Sequence, residues 1–186
     1  MSNVCIITGC SSAAGLEAAR KADQDAILVL AGNQSEELDQ AKASFEAEGR
    51  EVHAFAADVS VRREAHAVFA QANLVGTIKT VIHIPQPLPE TADVETIIRV
   101  NSIGVKNVNM ESRKYMGEGG TIVDVVAGDA EQAPDILARH KIFEKAEYEE
   151  DKFMKDMVRE AKLAIGDEKE SEFAYLLSSS FTRWYA

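Results

Sequence analysis

Cysteine is scarce in this chain: Cys5 and Cys10 are the only two among 186 residues, and no Cys-x-x-Cys pair occurs. That excludes a disulfide framework and fits a reduced, cytoplasmic setting. Long hydrophobic runs are missing as well. The longest, such as Ala26–Ala31, fall far short of the roughly 20 residues that cross a bilayer. No basic residue precedes the first apolar run, so no secretory signal is expected. Basic residues are outnumbered: 20 Lys and Arg stand against 31 Asp and Glu, a net charge of −11. Clustered cations are what attract nucleic acid and anionic membranes, so neither is expected as a partner. A small anionic ligand stays compatible, because backbone N–H groups bind phosphate without net positive charge. No His, Cys or acid cluster has metal-ligand spacing, so no metal is expected. No Gly-x-Ser-x-Gly nucleophile elbow is present.

What is present is an ordinary globular composition, 46% apolar. A chain of this length buries roughly 70% of its unfolded surface and folds without staples. Val4–Ile7, Ala26–Ala31, Val52–Ala56, Thr80–Ile84 and Thr121–Val126 read as strands. They are nearly continuous in apolar residues, as parallel strands covered on both faces are. Helical patterns lie between them, at about 14–23, 35–48, 61–74 and 92–114. Ser35 ahead of Glu36 and Glu37 predicts an N-cap, and Gly49 a C-cap. Strand and helix alternating in this way define an α/β fold of right-handed βαβ units. The stretch 129–171 differs: its dense mix of acids and bases predicts irregular surface helix, within a single domain spanning 1–186. Glu172–Ala186 is again apolar at helical spacing. It stops without Gly, Pro or a polar cap, which reads as a cut end.

Thr8-Gly9-Cys10-Ser11-Ser12-Ala13-Ala14-Gly15 links the first strand to the first helix. A glycine turn at that junction lets backbone N–H groups approach a pyrophosphate at a helix N-terminus. With this turn, the chain resembles the short-chain dehydrogenase/reductase family, of the bacterial hydroxysteroid dehydrogenase and carbonyl reductase type. Thr8, Gly9 and Gly15 match its Thr-Gly-x-x-x-Gly-x-Gly turn, whereas Ala13 stands where the middle glycine belongs. Asp58-Val59, Asn101 in Arg99–Gly104, Gly119–Asp124 and Phe173–Ser179 match later motifs in order. The resemblance implies a Rossmann-type doubly wound sheet, order 3-2-1-4-5, with helices on both faces and the family's last strands absent. It implies NAD or NADP over Gly9, Ser11, Ser12, Ala14 and Gly15. Asn33 would stand near the ribose, and Asp58 and Val59 near adenine. Ala13 implies weak binding, and 129–171 looks like an insertion that some relatives carry.

The reaction implied is interconversion of secondary alcohols and ketones. Tyr175 matches the family's acid and Asn101 the Asn that orders a proton-relay water. The serine position falls on Ala127 and the lysine position on Ser179, so two roles are empty. A missing oxygen-holding donor costs on the order of 10²–10³ in rate. A mis-tuned acid costs on the order of 10²–10⁴. Tyr148-Glu149-Glu150-Asp151-Lys152 also spells Tyr-x-x-x-Lys, but its carboxylates would raise the tyrosine pKa, and a solvated helix face accounts for it. His83 on an apolar strand reads as a packed core residue. Two readings therefore stand: an impaired NAD(P)-dependent oxidoreductase acting on a small ketone or alcohol, with room for a homo-oligomer, or a non-catalytic nucleotide-binding or scaffold domain, a truncated or redesigned relative.

Overall fold

The computed structural model describes residues 2–126, 140–164 and 170–186. The chain divides into two compact units, one of residues 1–84 and 107–125, the other of 85–106 and 126–186.

The first unit is a five-stranded sheet. Its strands are β1 (Asn3–Thr8), β2 (Ile27–Gly32), β3 (Val52–Ala56), β4 (Thr77–His83) and β5 (Thr121–Asp124), in the order β3-β2-β1-β4-β5. All neighbouring pairs are parallel. This is the expected Rossmann-type order, with β5 ending two residues before Val126. Alternate side chains leave a strand on opposite faces, and here both faces find cover. Val4 and Ile6 pack with Val29, Val81 and the apolar side of α3 (Arg62–Val75), including Val68 and Phe69. Cys5 and Ile7 pack with Leu28 and Leu30, with Ala19 of α1 (Ala13–Lys21), and with Leu38 and Phe45 of α2 (Ser35–Ala47). Strands buried on both sides must be apolar throughout, which is why they stand out in the sequence. The expected Ser35 cap does not form. Gln34 precedes α2 without a side-chain bond, and Ser35 lies inside the helix, where Glu36 and Glu37 meet the positive end of its dipole.

The second unit is helical. The single helix expected at 92–114 is three pieces: α4 (Val94–Ile98) and a π-helical turn (Arg99–Ile103) in this unit, and α5 (Gly104–Tyr115), which from Asn107 on belongs to the first unit. Asp93 caps α4, its carboxylate accepting the Thr96 N–H at 2.8 Å. Next come α6 (His140–Phe143), α7 (Lys145–Tyr148), α8 (Glu150–Ala164) and α9 (Glu170–Tyr185). The stretch expected as irregular surface helix is, over its described residues, two four-residue helices broken at Glu144 and Glu149 and then one regular helix, and one side of it is core. Phe143, Ala146, Phe153, Met157 and Ala161 are buried with Ile97, Ile98, Leu177 and Phe181. Phe153, Met157 and Ala161 recur every four residues, so the charges between them fall on the solvent side. No helix among the described residues is long and apolar enough to cross a membrane.

Candidate functional site

The turn between β1 and α1 is fixed by its own atoms. Gly9 sits at φ +71°, and a Cβ there would lie 2.1 Å from the Ile84 carbonyl oxygen. A Cβ on Gly15 would lie 2.5 Å from the Gly9 carbonyl oxygen. Both glycines are therefore required by packing alone. Ser12 caps α1: its hydroxyl accepts the Gly15 N–H at 3.0 Å and donates to the Gly9 carbonyl at 2.9 Å. The first two helix amides, those of Ala13 and Ala14, have no acceptor within the helix. Both residues are exposed. The buried Ser11 hydroxyl has no partner among the described residues. Two open amides, a helix N-terminus and a free hydroxyl fit an anionic group such as a pyrophosphate.

The other cofactor candidates stand at the same, C-terminal edge of the sheet. Asn33 follows β2 and is exposed. Asp58 follows β3, where its Oδ1 accepts both the Ser60 N–H at 2.9 Å and the Ser60 hydroxyl at 2.7 Å. Val59 is buried, and its carbonyl accepts from Asn107 Nδ2 at 3.0 Å. A second bond from Asn107 to the Ser60 carbonyl, at 3.1 Å, clamps this loop. Asn107 was not foreseen. Its signal is an amide inside an otherwise packed helix, which needs buried acceptors.

A polar row crosses the same edge. Thr8, His83 and Asp124 are register partners on β1, β4 and β5. Thr8 Oγ1 lies 2.5 Å from His83 Nδ1, and Asn109 Nδ2 donates to Asp124 Oδ2 at 2.9 Å. Neither His83 Nε2 nor Asp124 Oδ1 has a partner among the described residues. Burial pushes His83 down to about 3, so the imidazole is neutral. Burial raises Asp124, and the Asn109 bond opposes it. Burial also lifts the Cys5 and Cys10 thiols to about 11, so neither is a nucleophile.

Tyr175 and Asn101 belong to the second unit. Asn101 lies in the π-helical turn, 3% exposed. Its Nδ2 donates to the Pro87 carbonyl at 3.2 Å, and its Oδ1 is buried without a partner among the described residues. The Thr182 hydroxyl donates to the Asn101 carbonyl at 3.4 Å. Tyr175 stands about 10 Å earlier along the same helix, two turns away. Its hydroxyl meets neither Asn101 nor any other described group. Burial raises the Tyr175 pKa, and the Glu90 carboxylate raises it further. Ser179, one turn on, is buried and neutral. Ala127 lies outside the described residues. Tyr148 is 91% exposed at the end of α7. Lys152 is on α8, paired with Glu149 at 3.0 Å, so the second Tyr-x-x-x-Lys is split between two helices. No group of three or more metal-ligating side chains occurs among the described residues.

Comparison with known proteins bears on the family and the fold. A family model described as short chain dehydrogenase matches residues 3–137. The chain belongs to that family. No curated protein sequence matches it. Among solved structures, it is 27% identical to a citronellol catabolism dehydrogenase of Pseudomonas aeruginosa, with a TM-score of 0.59 over 68% of this chain and 56% of that one. Two more are each 22% identical with a TM-score of 0.61. One is a short chain dehydrogenase/reductase from Burkholderia phymatum in complex with NAD, covering 69% of this chain and 50% of that one. The other is a short chain dehydrogenase from Burkholderia cenocepacia in complex with NADP, covering 72% and 58%. The chain thus spans little more than half the length of these structures.

Proposed function

We propose that this chain is a dinucleotide-binding member of its family that takes NAD or NADP weakly and reduces ketones poorly. The observation that carries the binding reading is the turn Gly9–Gly15 feeding α1, with the open Ala13 and Ala14 amides and the unpartnered Ser11 hydroxyl. Two solved relatives hold NAD and NADP. Asn33 stands where a ribose would lie, and Asp58 and Val59 where adenine would. A bound nicotinamide would supply hydride to a carbonyl carbon. The protein must then give a proton to the carbonyl oxygen. Tyr175 is the candidate donor and Asn101 the candidate relay residue. Burial and Glu90 move the Tyr175 pKa upward, away from neutral pH. No described ammonium stands near it to bring that value down. A proton relay through Tyr175 therefore runs slowly at pH 7.

Fluorescence titration with NADH and NADPH tests the binding reading, with Ala14→Asp as the control. Ala14 is exposed and in the first turn, where an acid suits the helix. The variant should keep its fold while the new carboxylate repels pyrophosphate. The expected result is a loss of at least about tenfold in affinity at unchanged Tm. Equal affinity would place the nucleotide elsewhere, and no binding at millimolar dinucleotide would leave the scaffold reading. Ketone reduction is expected to lie about 10²-fold or more below ordinary enzyme rates. Turnover at ordinary rates would sink the impaired-relay half of the proposal.

A further inference from the structure

Helix α8 has two apolar stripes. One, Phe153, Met157 and Ala161, is fully buried in the core of the second unit. The next, Met154 and Val158, lines a cavity of about 540 Å³ whose far wall includes Glu95 of α4. Leu163 also lines it and is 72% exposed. That volume lies within the roughly 300–1,000 Å³ typical of small-molecule sites. The rim is cationic: Lys155, Arg159 and Lys162 stand around the apolar floor.

The charges on this rim are unevenly satisfied. Arg159 pairs with Asp156 at 3.1 Å, a carboxylate it shares with Lys145. Glu95, the cavity's acid, is taken by Arg99 at 2.7 Å. Asp93 feels Lys162, but its carboxylate is committed to the N-cap of α4. Lys155 and Lys162 have no salt bridge to any described residue. Two ammonium groups without a salt bridge among the described residues thus stand over a groove of Met, Val and Leu. Such a groove attracts a ligand with an anionic head and an apolar tail, and disfavours a cationic one.

We propose that the groove between α8 and α4 binds a single-chain anionic amphiphile, a fatty carboxylate, with the head at Lys155 and Lys162 and the tail along Met154, Val158 and Leu163. The site is separate from the dinucleotide reading and does not depend on it. Calorimetry with dodecanoate, below the concentration at which it forms micelles, is the test. Dodecyltrimethylammonium, with the same tail and opposite head charge, is the comparison. The expected result is one dodecanoate per chain, with the cationic amphiphile at least about tenfold weaker. Reversing both exposed lysines, Lys155→Glu with Lys162→Glu, should lower dodecanoate affinity at least about tenfold and reverse the head-group preference. Circular dichroism checks that the double variant is folded. NADH should not displace dodecanoate. Equal binding of the two head groups, no effect of the double reversal, or displacement by NADH would each overturn the proposal. So would binding to anionic vesicles without binding of free dodecanoate, which would assign the groove to a membrane surface.

Discussion

His83 shares its level on the sheet with Thr8 and Asp124, and burial holds it near pKa 3 against an ordinary 6.5. The unfolded chain therefore takes up this proton first. Stability from the neutral imidazole is fully present above pH 6.5 and falls as pH drops from there toward 3. Asp124 works the other way: its raised pKa means the folded state gains its proton first, which offsets part of the loss at the acid end. Between pH 7 and pH 5 the histidine dominates, and it should remove about 2 kcal/mol. His83→Gln cannot charge, and its amide can still meet the Thr8 hydroxyl. Urea unfolding at the two pH values should show a flatter dependence for this variant than for the parent. Parallel curves would mean that the acid sensitivity lies elsewhere. The row itself is not legible in the sequence, where Thr8 belongs to the glycine turn, Asp124 to a later motif and His83 to the core. Thr8, His83, Asn109 and Asp124 are scattered along the chain, and only strand register and helix packing bring them together.

At the scale of elements, β1 and β2 were the most legible strands because burial on both faces forces continuous apolar runs. The charged segment hides its buried face for the opposite reason. Across 140–164, Lys, Glu and Asp alternate with the apolar positions, so composition points to solvent while the four-residue recurrence of Phe153, Met157 and Ala161 points inward. Phe181 of α9 shows what that inward face is for. It is fully buried, with ring centroids 5.6 Å from Phe143 and 5.0 Å from Phe153. Removing it would strip the aromatic cluster of its centre and leave a cavity. Phe181→Ala should cost about 3–5 kcal/mol, whereas Tyr148→Ala, at an exposed position, should stay within about 0.5 kcal/mol. Thermal unfolding of both variants checks this. A small effect at Phe181 would mean that the core of the second unit can close around the gap.

For the whole molecule, the βαβ architecture and the position of the glycine turn could be read from the alternation of elements, and the resemblance implied the strand order. The surroundings of Tyr175, Asn101 and Ser179 could not, because resemblance assigns these positions a motif but sequence order does not supply their neighbours. The net charge of −11 has its own consequence for stability. At low ionic strength the Debye length is about 30 Å, so surplus carboxylates repel one another across much of the molecule. At physiological salt it is about 8 Å. Salt also weakens favourable pairs, yet most of these are exposed and contribute little. Glu17 with Arg20 at 3.9 Å and with Lys21 at 3.4 Å, and Lys42 with Glu46 at 3.7 Å, are examples. Relief of repulsion should therefore win, and the urea midpoint should rise between roughly 10 mM and 150 mM NaCl. Sodium chloride is the salt to use, because sulfate would stabilise any fold by exclusion from its surface. A midpoint that falls over this range would show that attractive pairs outweigh the surplus charge.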